Sequence, residues 1–165
     1  MTKQEESEMK EALGCLEDGC CKCPPPHGAR CGEACENGTG QVECGDEGYC
    51  GNQRILRGEV VRVDVRASSN GAGCFTLEAV GMGGLVLEYK GVFRRYQDDL
   101  TGDNRHTVAL PIGFLDATKK GSRGRFINHS CAPNVAFEVW IVRGVYRVGI
   151  FALRPIPAGV ELTAD

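Results

Sequence analysis

No stretch of the chain approaches 18 consecutive apolar residues, which excludes a membrane-spanning helix. The opening MTKQEESEMKE is polar and acidic, without the basic start and apolar run of a secretory leader, so none is expected in the sequence as written. No internal repeat is visible, and repeat architectures are set aside. Composition argues against disorder as well, with 42% of residues hydrophobic and 25% charged. What remains is a globular chain of 165 residues, room for one compact domain and a smaller appendage. A chain of this length can bury roughly 70% of the surface its unfolded form exposes, so it needs no staples merely to have a core. Glycine, at 23 residues, is about twice as frequent as its usual share of roughly 7%, which predicts turns and strands in place of a helical bundle.

Cysteine is nearly missing after residue 50, where only Cys74 and Cys131 occur. The other eight of ten (Cys15, Cys20, Cys21, Cys23, Cys31, Cys35, Cys44, Cys50) lie in the first fifty residues. Charge divides at the same place: residues 1–50 hold 11 acids against 4 bases, and residues 51–165 hold 11 against 15. Dense cysteine in a short segment means either the disulfide framework of a secreted protein or the zinc thiolates of an intracellular one, and the missing leader favours zinc. Cys21-x-Cys23 and Cys31-xxx-Cys35, followed by Cys44 and Cys50, are separated by Gly and Pro instead of apolar runs. Such short loops can point two sulfurs at one ion about 2.3 Å away.

Along the chain, residues 2–13 could form a short helix, yet only Met9 and Leu13 offer an apolar contact, so it is expected to fray. From Val61 the period changes: Val61, Val63 and Val65 alternate with Arg62, Asp64 and Arg66, the pattern of a half-buried strand. Further strands are expected at Cys74–Val80, Leu85–Phe93, Thr107–Leu115, Val135–Val142 and Tyr146–Leu153. The breakers are Ser68–Gly73, Gly81–Gly84 and Pro155–Gly159, and Gln97–Arg105 reads as a polar loop. The sequence therefore predicts a mainly β body.

The segment Arg125-Phe-Ile-Asn-His-Ser-Cys-Ala-Pro-Asn134 concentrates polar side chains between an apolar pair and a strand. Buried polar groups must find partners, so this segment either ties the backbone together or holds a ligand. A Cys131–His129 catalytic pair is the competing reading. It is weakened because near-adjacent positions on an irregular loop seldom reach hydrogen-bonded geometry and no third, orienting residue is evident.

The order of segments resembles the SET-domain protein-lysine methyltransferases. The residues that carry the resemblance are Arg125–Asn134, Gly113–Gly121 before it, Gly71-Ala72-Gly73 earlier, and the ending Pro155-Ile-Pro-Ala-Gly-Val-Glu-Leu-Thr163. It runs from about Arg54 to Asp165. The cysteine segment, with Glu43 before Cys44 and Cys50-Gly-Asn-Gln-Arg54 closing it, resembles the AWS zinc module found beside the NSD branch, whose enzymes modify lysine 36 of a histone tail. The resemblance implies a SET-domain β-clip with a knot-like C-terminal turn over 54–165, a small Cys-rich zinc module over 15–53 and a frayed segment over 1–14.

It implies roles as well. Gly71, Ala72 and Gly73 match the glycine loop beside S-adenosylmethionine, where a Cβ would obstruct the approach. Arg125, Phe126, Asn128 and His129 match positions that close over that cofactor, and Asn134 lies in the knot-like turn. Glu88 and Tyr89 match a Glu-Tyr pair on the strand lining the site, making Tyr89 the candidate catalytic residue. Zinc ligands would be Cys21, Cys23, Cys31, Cys35, Cys44 and Cys50, with Cys15 or Cys20 as substitutes, and Cys131 matches a core cysteine of a second, post-SET zinc site. The implied partners are a histone tail and the nucleosome, the implied setting is nuclear chromatin, and Lys119, Lys120, Arg123 and Arg125 could meet nucleosomal DNA. No membrane partner is expected.

Departures from the pattern fall at informative places. The chain ends at Asp165, just before the family's catalytic tyrosine and post-SET cysteines. Ala164 stands where the family has Phe or Tyr limiting how many methyls fit, which predicts a roomier pocket. Val92 replaces a usual Glu, and Thr107 lies near a position often held by Tyr. The alternative to an enzyme is therefore a catalytically impaired SET-like module that binds a peptide or chromatin partner.

Overall fold

Alternating valines beyond residue 60 set up the first hairpin of the computed structural model, which describes residues 35–44, 51–96 and 104–165 together with Lys3, Gln4 and Ser7. Strand β1 (Val63–Ser68) pairs antiparallel with β2 (Gly71–Thr76), from Val63 opposite Thr76 to Ser68 opposite Gly71. The breaker expected over Ser68–Gly73 shrinks to the two turn residues Ser69 and Asn70. Gly71 leaves that turn at φ +99°, a conformation open to glycine, and Gly71–Gly73 then join the strand.

The single strand expected over Leu85–Phe93 divides into β3 (Leu85–Tyr89) and β4 (Val92–Arg95). The division falls at Gly91, where a Cβ would press on the backbone of Asp116 and Ala117, so the chain can pass there only as glycine. The run over Thr107–Leu115 folds instead into β5 (Thr107–Leu110) and β6 (Gly113–Asp116), because Pro111 interrupts it. These strands make a three-stranded sheet in the order β4-β6-β5. A 3-10 turn over Arg123–Phe126 and the short β7 (Asn128–His129) follow.

Strands β8 (Val135–Val142) and β9 (Val145–Ala152) form a hairpin through Arg143 and Gly144, both at positive φ, which matches the right-handed strand twist. Strand β3 adds to β9, giving the order β3-β9-β8. Val86, Val135, Val148, Ile150 and Leu162 lie at the centre of the main core, each at most 1% exposed. Burying each such side chain contributes about 1.5–3 kcal/mol. A smaller cluster of Ile55, Leu85, Trp140, Val142 and Phe151 sits under the helical turn Arg54–Arg57.

The last strand, β10 (Thr163–Ala164), runs parallel to β7, with Thr163 opposite Asn128 and Ala164 opposite His129. On its other side Leu162 donates to the Cys74 carbonyl at 2.7 Å, and Glu161 bridges Phe75. The closing segment is thus threaded between β2 and the 128–134 loop, which is the mainly β, knot-like arrangement expected.

Of the upstream region, residues 35–44 carry a helical turn over Glu36–Thr39 and then lie along β8, with Glu43 N donating to Ile141 O at 2.9 Å. The expected ligands Cys21, Cys23, Cys31 and Cys50, the further cysteines Cys15 and Cys20, most of the expected 2–13 helix and most of the 97–105 loop lie outside the described residues.

Candidate cofactor and substrate site

Three segments far apart in sequence meet at the carboxylate of Glu161. Ser68 Oγ at the end of β1 donates to it at 2.8 Å, and Asn128 Nδ2 donates to Oε1 at 2.8 Å and to the Ala72 carbonyl at 3.2 Å. Asn134, only 5% exposed, fastens the same strand: its Nδ2 donates to Glu161 O at 2.8 Å and its Oδ1 accepts from Thr163 N at 2.9 Å. A buried amide that uses both ends in this way holds the loop to the closing segment as firmly as a short ladder would.

Glycine is required at two places here for different reasons. A Cβ at Gly73 would collide with the Glu161 carboxylate, so the smallness of Gly73 serves an internal partner. At Gly71 a Cβ would meet no atom within 4 Å, so the backbone there faces open space. Of the two, Gly71 is the one that leaves room for an external ligand.

Beside this junction lies a cleft of about 620 Å³, with Thr107, Val108, Asn128, His129, Phe137 and Ala164 among its lining residues. His129 is exposed. Its Nε2 lies 3.8 Å from Cys131 Sγ and its Nδ1 lies 3.7 Å from Asp165 Oδ1, the second beyond hydrogen-bond length. The competing Cys–His reading therefore gains no oriented triad. Arg125 turns inward, donating Nη1 to the Ala117 carbonyl at 2.9 Å over the Phe126 ring, and its buried Nε has no partner. Among the described residues this N–H is a buried donor left open.

The SET domain family model matches residues 71–165, the range that holds the glycine loop, the polar turn and the closing strand. The chain belongs to the SET-domain family. Histone-lysine N-methyltransferase ASHH2 of Arabidopsis thaliana is 34% identical over 88% of this chain and 9% of its own length. The H3 lysine-36 specific histone-lysine N-methyltransferase of Mycosarcoma maydis is 37% identical over 87% of this chain and 17% of its own, and that of Emericella nidulans is 40% identical over 80% and 15%. The chain thus spans less than a fifth of the length of these curated relatives. SET methyltransferases use S-adenosylmethionine, and the residues present fit that group: an unobstructed backbone at Gly71, an orphaned donor on Arg125 and an amide oxygen on Asn128.

Within this SET domain the two members of the Glu-Tyr pair of β3 are placed differently, Glu88 half-buried in ion pairs and Tyr89 in the core. Glu88 makes two 2.6 Å contacts with Arg147. Tyr89, 3% exposed, donates its hydroxyl to the His106 carbonyl at 2.6 Å and sets its ring edge-on to Phe137. Burial pushes its pKa up to about 12, and it is not among the residues lining the cleft. Of the expected metal ligands, Cys35 and Cys44 are brought together, their sulfurs 3.5 Å apart in a buried position, while Cys131 is exposed elsewhere. Among the described residues no group of three or more His, Cys, Asp or Glu could hold a metal ion. No helix among them is long and apolar enough to cross a membrane. Sequence reasoning assigned no role to Glu161. The available signal was an acidic residue between the apolar Val160 and Leu162 in the closing segment.

Proposed function

We propose that this chain transfers a methyl group from S-adenosylmethionine to a lysine of a histone tail, with lysine 36 of H3 as the target suggested by the relatives' names. The observation that carries this reading is the meeting of the glycine loop, Asn128 and the closing strand at Glu161, beside a cleft with Ala164 in its wall.

When bound, the cofactor supplies a methyl group on a cationic sulfur. The protein must deliver a neutral amine to it. A lysine of pKa about 10.4 costs roughly 4 kcal/mol to deprotonate near pH 7.4. Walls formed by Val108, Val135, Phe137 and Ala164 strip water from the ammonium and lower that cost. Fixing the acceptor in line supplies much of the remainder. In this reading Gly71, Ala72 and Gly73 with Arg125, Phe126, Asn128 and His129 hold the cofactor, and Tyr89, assigned to catalysis by resemblance, contributes by bracing the strand before the cleft through its bond to His106.

The Cys-rich segment is proposed to be an AWS-like module in which Cys21, Cys23, Cys31, Cys35, Cys44 and Cys50 bind zinc. Two sulfurs bound to one zinc at about 2.3 Å in a tetrahedron stand about 3.8 Å apart, close to the 3.5 Å between Cys35 and Cys44. Similarity to ASHH2 over 88% of the chain reaches well upstream of residue 71, which supports a shared module there. Cys131 is proposed as a thiolate of a separate ion. Nuclear chromatin is the setting, and the exposed Lys119 and Lys120 are the groups best placed to meet nucleosomal phosphates, since Arg125 is turned inward.

The test is incubation of the chain, alongside a version extended past Asp165, with labelled S-adenosylmethionine and nucleosomes carrying native H3 or H3 in which lysine 36 is replaced by alanine. Label on native H3 alone is expected. Bound cofactor with no transfer would favour a non-catalytic binding module, and transfer to both substrates equally would overturn the lysine-36 assignment.

A further inference from the structure

The chain contains two Asn-Gly steps, Asn37-Gly38 and Asn70-Gly71. At such a step the backbone nitrogen of the glycine can attack the side-chain carbonyl carbon of the asparagine, because no Cβ on the following residue blocks the approach. The structure treats the two steps oppositely. Gly38 N donates to Cys35 O at 2.9 Å beside the helical turn Glu36–Thr39, and Asn37 Nδ2 donates to Cys44 Sγ at 3.5 Å. Both reacting groups of that step are tied down.

Asn70 is not held in this way. With Ser69 it forms the turn between β1 and β2, and Ser69, Asn70 and Gly71 are all exposed. No described residue hydrogen-bonds its side chain. Gly71 stands at φ +99°, and a Cβ built there would meet no atom within 4 Å, so this peptide has room to turn its nitrogen toward Asn70 Cγ. Ser68, opposite Gly71, donates to Glu161, and Ala72 O accepts from Asn128 Nδ2. A change in the length of the turn is therefore passed directly to the glycine loop and to its contacts with the closing segment.

We propose that Asn70 is a deamidation site and that its conversion to isoaspartate disables the glycine loop for the methyl donor. The Gly71 nitrogen gives its proton to hydroxide and bonds to Asn70 Cγ, and the side-chain nitrogen takes up a proton and leaves as ammonia. Water then opens the cyclic succinimide. Addition at Cγ leaves aspartate, whereas addition at the main-chain carbonyl carbon leaves isoaspartate, in which the chain runs through Cβ and Cγ and is longer by one carbon. Water is the only co-reactant. The longer link shifts Gly71 from its place opposite Ser68 and carries Ala72 away from Asn128. The functional half of the proposal rests on the cofactor reading above, and the assignment of the site does not.

The experiment ages the native chain and N70S at mildly acidic and mildly alkaline pH. Conversion is followed by fragment mass and isoaspartate assay in the tryptic peptides Ala67–Lys90, which holds Asn70, and Cys31–Arg54, which holds Asn37. Asn70 is expected to convert at least about tenfold faster than Asn37, where attack first requires local opening. Conversion should also quicken at alkaline pH, where more of the glycine amide is deprotonated. Equal rates at the two sites, or a faster rate at Asn37, would overturn the site. Binding of S-adenosylhomocysteine is then measured on the same samples by calorimetry. The fraction of native chain able to bind should fall in step with the isoaspartyl fraction, while aged N70S keeps its full binding. Fresh N70D, which carries the exposed charge without the longer link, should bind within about threefold of the fresh native chain. Undiminished binding by converted chain, or an equal loss in aged N70S, would overturn the functional half. A loss in fresh N70D as large as in the isoaspartyl chain would overturn the lengthened link as its cause. A fresh native chain that binds no S-adenosylhomocysteine would remove the cofactor reading and the functional half with it, whereas the site stands or falls on the rates alone.

Discussion

Glu43 accepts hydrogen bonds from the backbone amides of Ile55 and Leu56 at 2.6 and 2.8 Å, although it lies 12 residues upstream of the first. The helical turn Arg54–Arg57 has no side-chain cap of its own, so a buried carboxylate from the Cys-rich segment satisfies its first amides. Desolvation raises the pKa of Glu43, and the two amide bonds oppose that rise. Replacing Glu43 with alanine orphans two buried donors at roughly 1–3 kcal/mol each. E43A is expected to lower the free energy of unfolding by about 3 kcal/mol in a denaturant titration, and a loss under about 1 kcal/mol would mean the cap does not hold the segment to the body.

Tyr89 sets the alkaline limit. Its folded pKa of about 12 lies above the ordinary 10, so the phenol stays protonated in the folded state after it would ionise in the unfolded one. Stability from this group is complete below pH 10 and is lost as pH rises from there through 12. Ultraviolet difference titration should show one of the four tyrosines ionising last. Y89F should remove this feature at a cost of about 1 kcal/mol, the worth of the bond to His106.

Asp116 sets an acid limit of opposite sign. The Thr118 hydroxyl and amide, and then Arg94, hold its carboxyl below the usual range. The contribution is present above the unfolded value of 3.8 and is lost as pH falls through the lower folded value. D116N should therefore flatten the stability curve below pH 4 compared with the native chain, and identical curves would show that the carboxylate is not what couples Thr118 and Arg94.

Thiol chemistry should separate the cysteines. Cys74 is fully buried and desolvation pushes it up to about 11, whereas Cys131 is exposed. In the folded chain stripped of zinc by a chelator, an alkylating reagent should modify Cys131 early and leave Cys74 untouched until unfolding, as read by peptide mass. Labelling of Cys74 at the rate of Cys131 would contradict the core as described.

Ala164 tests the size of the pocket. It is 7% exposed and lines the cleft. Replacing it with phenylalanine should shift products from di- and trimethyl toward monomethyl lysine in mass spectra of the modified tail, and a native chain that makes only monomethyl lysine would show that the room at Ala164 is not used.

Strand positions were largely legible because alternation and β-branched runs report burial directly: Val135–Val142 lies where the pattern puts it, and β9 is displaced by one residue. The Leu85–Phe93 and Thr107–Leu115 runs were each read as one strand, since apolar periodicity does not register that Gly91 must pass against Asp116 or that Pro111 turns the chain back. The glycine loop is legible as a loop, but that a Cβ at Gly73 would meet Glu161, 88 residues away in sequence, is invisible to any local pattern. Tyr89 shows the same limit: its motif placed it at a site, while its hydroxyl is taken up by a backbone carbonyl.

By itself, the sequence determined that the chain builds a mainly β body, that its cysteines and acidic charge collect upstream of it, and which segments carry the polar turn and the closing strand. These follow from periodicity and composition, which are local. Only the tertiary structure decided which polar groups face one another: that Glu161 meets Ser68 and Asn128, that Glu43 caps Ile55 and Leu56, and that Arg125 keeps an unpaired Nε. Hydrogen bonds depend on distances of tenths of an ångström between residues remote in sequence, and only the threaded path of the chain sets those distances.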